Sequence, residues 1–173
     1  MTSYRRHDQD RSDRRRRGVP LSDLDPALTD VSRRVIGCAI EVHKALGPGY
    51  DKSVYAAALG KALKVEGVEF QTGHSFDVEY EGDKVGTIAV DLYVAERFAV
   101  NLMAYHGEVG SMERSQLRAA LRSGDMELGL IINFGERRLK DGLVRVLNPD
   151  KIESLRRDDE YEDDDEEDED DES

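Results

Sequence analysis

Leu128-Gly-Leu-Ile-Ile-Asn133 is a short, nearly unbroken apolar run in a chain where 36% of residues are charged. Such a run presents no polar face to water. It fits a strand covered on both sides better than one half-exposed at a surface. No stretch of the chain reaches the roughly 18 apolar residues that crossing a bilayer requires, so nothing here is expected to span a membrane. The rest of the chain has to supply the cover.

Two helical patterns precede the run. Val31, Val35, Ala39, Val42 and Leu46 recur at spacings of three and four, which puts them on one stripe of a helix. Thr29 is the expected N-cap, and Gly47-Pro48-Gly49 ends the helix. A second helix is predicted from Lys52 to Glu66, with Val54, Ala58, Leu59, Ala62 and Val65 on its apolar side and Gly67 at its end. Strand-like segments follow at 68–71, 76–80, 85–94 and 97–104. Glu81-Gly82-Asp83 is a turn between two of them, and Ala95-Glu96 is a less usual hairpin connection. A third helix near 112–122 leads into the apolar run, and 143–147 reads as a last strand. From the pattern alone the class is α plus β with a mixed sheet.

At 173 residues the chain is one domain with tails, and its charge of −13 is unevenly spread. Residues 1–18 hold seven Arg and three Asp, and residues 158–172 hold fourteen acids and no base. That leaves 18 basic and 21 acidic residues between 19 and 157, a nearly neutral middle. The expected organisation is a disordered Arg-rich arm over 1–25, a domain over 26–150 and a disordered acidic tail over 151–173. The single cysteine, Cys38, excludes an intramolecular disulfide and falls in a helical apolar pattern, so it is expected to be a small buried hydrophobe. The N-terminus has no apolar stretch of the secretory kind, and a cytoplasmic protein is the default expectation.

The chemistry rests on a series of motifs. They are G-P-G-Y-D-K-S-V-Y from Gly47 to Tyr55, V-D-L-Y-V at 90–94 and F-A-V-N-L-M-A at 98–104, followed by S-Q-L-R-A-A-L-R-S-G at 115–124 and G-L-I-I-N-F-G at 129–135. In order and spacing this frame resembles the GxxExxY family, a branch of the PD-(D/E)XK nuclease superfamily, over roughly Leu28 to Leu147. The resemblance implies a restriction-endonuclease-like α/β core, a mixed β-sheet flanked by helices. It also implies Mg²⁺-dependent phosphodiester cleavage by clustered carboxylates and a lysine. Carried over residue by residue, the GxxE glutamate falls on Lys52 and the E-x-K pair on Asn101 and Met103. Asp91 stands where a metal-ligand aspartate is expected. Glu41 enters from the first helix and Gln116 from the helix after the sheet. Tyr55 is expected to pack with its hydroxyl hydrogen-bonded.

Magnesium is a hard cation whose binding depends on charged oxygen ligands, and a lysine facing it opposes that binding. Where the resemblance implies four carboxylates and one cation, this chain offers Glu41 and Asp91, the cation Lys52 and the neutral Asn101 and Met103. Met103 cannot donate a hydrogen bond to a developing negative charge. The expected reading is therefore a degenerate nuclease-fold protein with a vestigial site at Asp91, Gln116, Glu41 and Lys52, any metal being held weakly by Asp91 and Glu41. It would have no cofactor and act by binding nucleic acid or a protein. Two alternatives stay open. In one, Lys52 replaces the missing lysine in a Mg²⁺-dependent nuclease. In the other, the fold is a scaffold whose acidic tail captures a basic protein. Each residue also has a plainer reading as a solvated surface group, and His43, His74 and His106 lack metal-ligand spacing.

Overall fold

The computed structural model describes residues 24–165, with side chains through Arg157. Most of the expected Arg-rich arm and the end of the acidic tail lie outside these residues. Helix α1 spans Pro26–Leu46. Its N-cap is Asp25, whose carboxylate accepts from the Ala27 amide at 2.8 Å, with Pro26 opening the helix. Thr29, the expected cap, lies inside the first turn, where its hydroxyl donates to the Pro26 carbonyl at 2.9 Å. The helix begins early because proline's fixed φ suits the first helical position. Helix α2 spans Lys52–Val65. It buries Tyr55, Leu59 and Leu63, whereas Val54 and Val65, expected on the apolar side, are exposed.

Seven strands follow: β1 Phe70–Thr72, β2 Ser75–Tyr80, β3 Asp83–Ala89, β4 Leu92–Val94, β5 Phe98–Met103, β6 Leu128–Asn133 and β7 Leu143–Leu147. The main sheet has the order β1-β4-β5-β6-β7, and β2 and β3 form a separate hairpin. Neighbours in the main sheet are antiparallel except β5 and β6, which are parallel. Helix α3, Ser111–Ser123, makes the crossover between them. The segment 85–94, expected as one strand, is divided at Val90-Asp91. There the chain leaves the hairpin and enters the main sheet. The Val90 amide donates to the His74 carbonyl at 2.9 Å, and the Asp91 carbonyl accepts from the Gly73 amide at 3.0 Å.

All six residues of β6 are buried, because both faces of the sheet are covered. On one side Leu128, Leu130 and Ile132 join Val35, Leu59 and Leu63 in the core beneath α1 and α2. On the other, Ile131 packs with Leu117 and Leu121 of α3, with Phe76 and Ile88 of the hairpin alongside. Gly129 sets the α3 approach: a Cβ there would lie 3.0 Å from the Leu117 side chain and 3.1 Å from the Ala99 carbonyl oxygen. Cys38 is buried, and that burial is the main cause that pushes its thiol pKa up.

A last helix, α4, spans Pro149–Asp165. The domain end expected at 150 thus falls in its first turn. Order continues past it because Ile152, 3% exposed, reaches the core, and the Asn148 side chain donates to the Met126 carbonyl at 3.1 Å. No helix among the described residues is long and apolar enough to cross a membrane.

Candidate functional site

The division of 85–94 positions Asp91. Because it stands one residue before β4, it faces Asn101 of the neighbouring strand rather than solvent. The Asn101 side-chain oxygen accepts from the Asp91 amide at 3.3 Å. The Asp91 carboxylate is itself engaged on both oxygens. Oδ2 accepts from the Leu102 amide at 2.7 Å. Oδ1 lies 2.8 Å from the Lys52 ammonium, which comes from the first residue of α2. The Asp91 side chain is 27% exposed and that of Lys52 51%, so the pair sits at the mouth of the sheet rather than in its interior.

Lys52 is carried there by the loop before it. The Tyr55 ring is fully buried against Phe134, with centroids 4.6 Å apart. Its hydroxyl donates to the Gly47 carbonyl at 2.5 Å and accepts from the Tyr50 amide at 3.2 Å. One buried tyrosine thus ties both ends of the Gly47–Tyr50 turn, and α2 starts from a fixed point. The expected packing role of Tyr55 is what its contacts show.

The other residues singled out in the sequence are placed differently. Met103 is 6% exposed and packs among Val90, Ala99, Val109, Leu117 and Leu121, in the core beneath α3. Gln116 is exposed on α3, and its side chain makes no hydrogen bond among the described residues. Glu41 pairs with Lys44 at 3.0 Å on the outer side of α1 and lines the groove between α1 and α2 beside Cys38 and Lys61. It has no bond to the Asp91 group. The structure therefore joins Asp91, Lys52 and Asn101. The Leu102 amide, the second partner of Asp91, carries no sequence signal beyond its place on a neighbouring strand.

These groups do not fit a divalent metal. Mg²⁺ takes several oxygen ligands, usually with one or two carboxylates. Here there is one carboxylate, already holding an ammonium and an amide. Nowhere among the described residues do three His, Cys, Asp or Glu side chains gather as a ligand set.

A mixed sheet with helices on both faces is consistent with a nuclease-like domain of the restriction-endonuclease type. The chain belongs to the PD-(D/E)XK nuclease superfamily, whose family model matches residues 29–146. No curated protein and no solved structure shows a significant match to it.

Proposed function

We propose that this chain is a degenerate member of the GxxExxY branch, a nuclease fold that has lost cleavage and acts by binding a nucleic-acid or protein partner. The observation that carries the reading is the Lys52–Asp91 contact of 2.8 Å, a cation of the protein itself against the aspartate where a metal would be expected. Asn101 and Met103 support it: neither supplies the charge that the E-x-K pair would bring. The same contact favours one competing reading, in which Lys52 serves as a relocated catalytic lysine.

Incubation of plasmid and single-stranded substrates with Mg²⁺ or Mn²⁺ separates the two. No cleavage above background is expected from the wild type, Asp91→Ala or Lys52→Ala. Metal-dependent cleavage by the wild type that disappears in both variants would overturn the proposal and make Lys52 catalytic.

A further inference from the structure

Helix α3 carries Arg114, Arg118 and Arg122 at intervals of four residues, so they rise along one flank about 6 Å apart. Gln116 lies roughly opposite Arg114 and Arg118 around the helix. Arg114 and Arg122 are exposed and Arg118 partly so, and none of the three side chains has a partner among the described residues. Like charges at this spacing weaken a helix unless an anion meets them. The neighbouring acids are largely taken: Asp77 by Lys84 at 2.8 Å, Glu113 by the Tyr105 hydroxyl at 2.7 Å and Asp125 by Lys151 at 2.8 Å. Glu79 shares a recess with Arg122 and has no such partner.

The Lys151–Asp125 contact also shows where the acidic run starts. Asp125 lies just past Arg122, so α4 leaves the domain beside the C-terminal end of the row. The register of β7 on β6 agrees, because Leu147 pairs with Leu128 at that same end of the sheet. A second basic group, Arg137, Arg138 and Lys140, follows the far end of β6 and is the more distant target. The row itself is about 12 Å long. The fifteen residues 158–172 extend to about 50 Å, and their fourteen acids complement it. Residues 158–165 continue α4 in this structure. Seven of those eight are acidic, and their mutual repulsion makes these turns the least costly part of the helix to unwind.

We propose that the acidic run 158–172 folds back along the Arg114–Arg118–Arg122 row of its own chain and closes that surface to other polyanions. This holds whether or not Asp91 supports cleavage, so the two proposals fail separately.

The test compares the full-length chain with a full-length variant in which every acid of 158–172 is replaced by its amide. The probe is a fluorescein-labelled peptide of sequence 158–172, read by anisotropy at low salt. The amide variant is expected to bind it at least tenfold more tightly than the wild type. Adding Arg114→Gln, Arg118→Gln and Arg122→Gln should remove the gain, while Arg137→Gln, Arg138→Gln and Lys140→Gln should not. Equal binding by wild type and amide variant overturns the proposal, as does a gain that survives loss of the row. A labelled DNA strand is the second probe. If it binds through the row and the peptide does not, the row is a nucleic-acid surface and the proposal fails. Sedimentation decides between copies: masking that depends on protein concentration places the tail on a second molecule and also overturns it. A further readout needs no change to the tail. In ¹⁵N relaxation, residues 166–172 should be more mobile in the triple Arg variant than in the wild type, and equal mobility contradicts the inference.

Discussion

Asp91 joins three segments through one carboxylate, and its two partners differ in what they lose without it. Lys52 is half exposed and returns to water when unpaired, so the pair contributes at most about 1 kcal/mol. Leu102 is buried in the sheet, and its amide has no water to turn to. Removing its acceptor costs about 1–3 kcal/mol. Lys52→Ala is therefore expected to lower stability by less than about 1 kcal/mol, and Asp91→Ala by clearly more. Urea titrations of both variants check this, and equal losses would mean that the Leu102 amide finds another acceptor. At this scale the sequence is informative about which residue stands at each motif position but silent about what meets it. That Lys52 reaches Asp91 depends on the Tyr55 staple. That Met103 lies in the core under α3 depends on the crossover. Neither follows from spacing along the chain.

Among the elements, the hairpin between β4 and β5 holds the least comfortable backbone. Ala95 and Glu96 both lie in the left-handed region, with φ of 51° and 54°, where side chains are disfavoured and Gly or Asn is the usual occupant. The turn persists because both flanking strands are buried and the Tyr93 hydroxyl donates to the Glu96 carbonyl at 2.5 Å. Glu96→Gly keeps that carbonyl and relieves the strain, so it should stabilise the protein by about 1 kcal/mol. A rise in thermal midpoint checks it; a fall would show that the Glu96 side chain has a role of its own. The connection is Ala95–Arg97, one residue longer than the Ala-Glu pair expected from the sequence, and its conformation is not visible there, since Ala-Glu lacks the glycine that normally announces it. Strand β6 is legible throughout, because six buried positions leave no polar alternation to misread. The break before β4 is hidden, because Val90 continues the apolar pattern across the change of sheet. Helix α4 is obscured by its charge, although Asn148-Pro149 is a reasonable helix start and Ile152 an apolar anchor.

Over the whole molecule, Arg97 connects the first helix to the sheet. Its guanidinium lies 2.7 Å from Asp25, the α1 cap, and 2.8 Å from Glu127 just before β6. The hydrogen bond from Arg97 is the main cause that holds the Asp25 carboxyl below its ordinary value of 3.8, with the Ala27 amide second. A depressed pKa means that the folded state prefers the charged carboxylate. The contribution is therefore fully present above 3.8 and is lost as the pH falls through the lower folded value. Asp25→Asn keeps a capping side chain and removes the charge. It should melt below the wild type near neutrality, and the gap should close in strong acid; a gap independent of pH would mean that the charge contributes nothing. The layered arrangement was legible in the sequence, from the doubly covered run and the helical stripes around it, whereas a contact such as Arg97 with Asp25 joins residues too far apart in the chain for any local pattern to announce. The single parallel pairing also has a consequence in time. Strands β4 and β5 are joined through three residues, Ala95, Glu96 and Arg97 having no strand pairing of their own, whereas Ala99 and Gly129 meet only after the whole α3 crossover has closed. Short closures precede long ones. The aspartate and the strand opposite it are thus expected to come together early, with the arginine helix arriving later to lock the sheet. In a chevron of Glu96→Gly, the gained stability should then appear as faster folding, with unfolding almost unchanged.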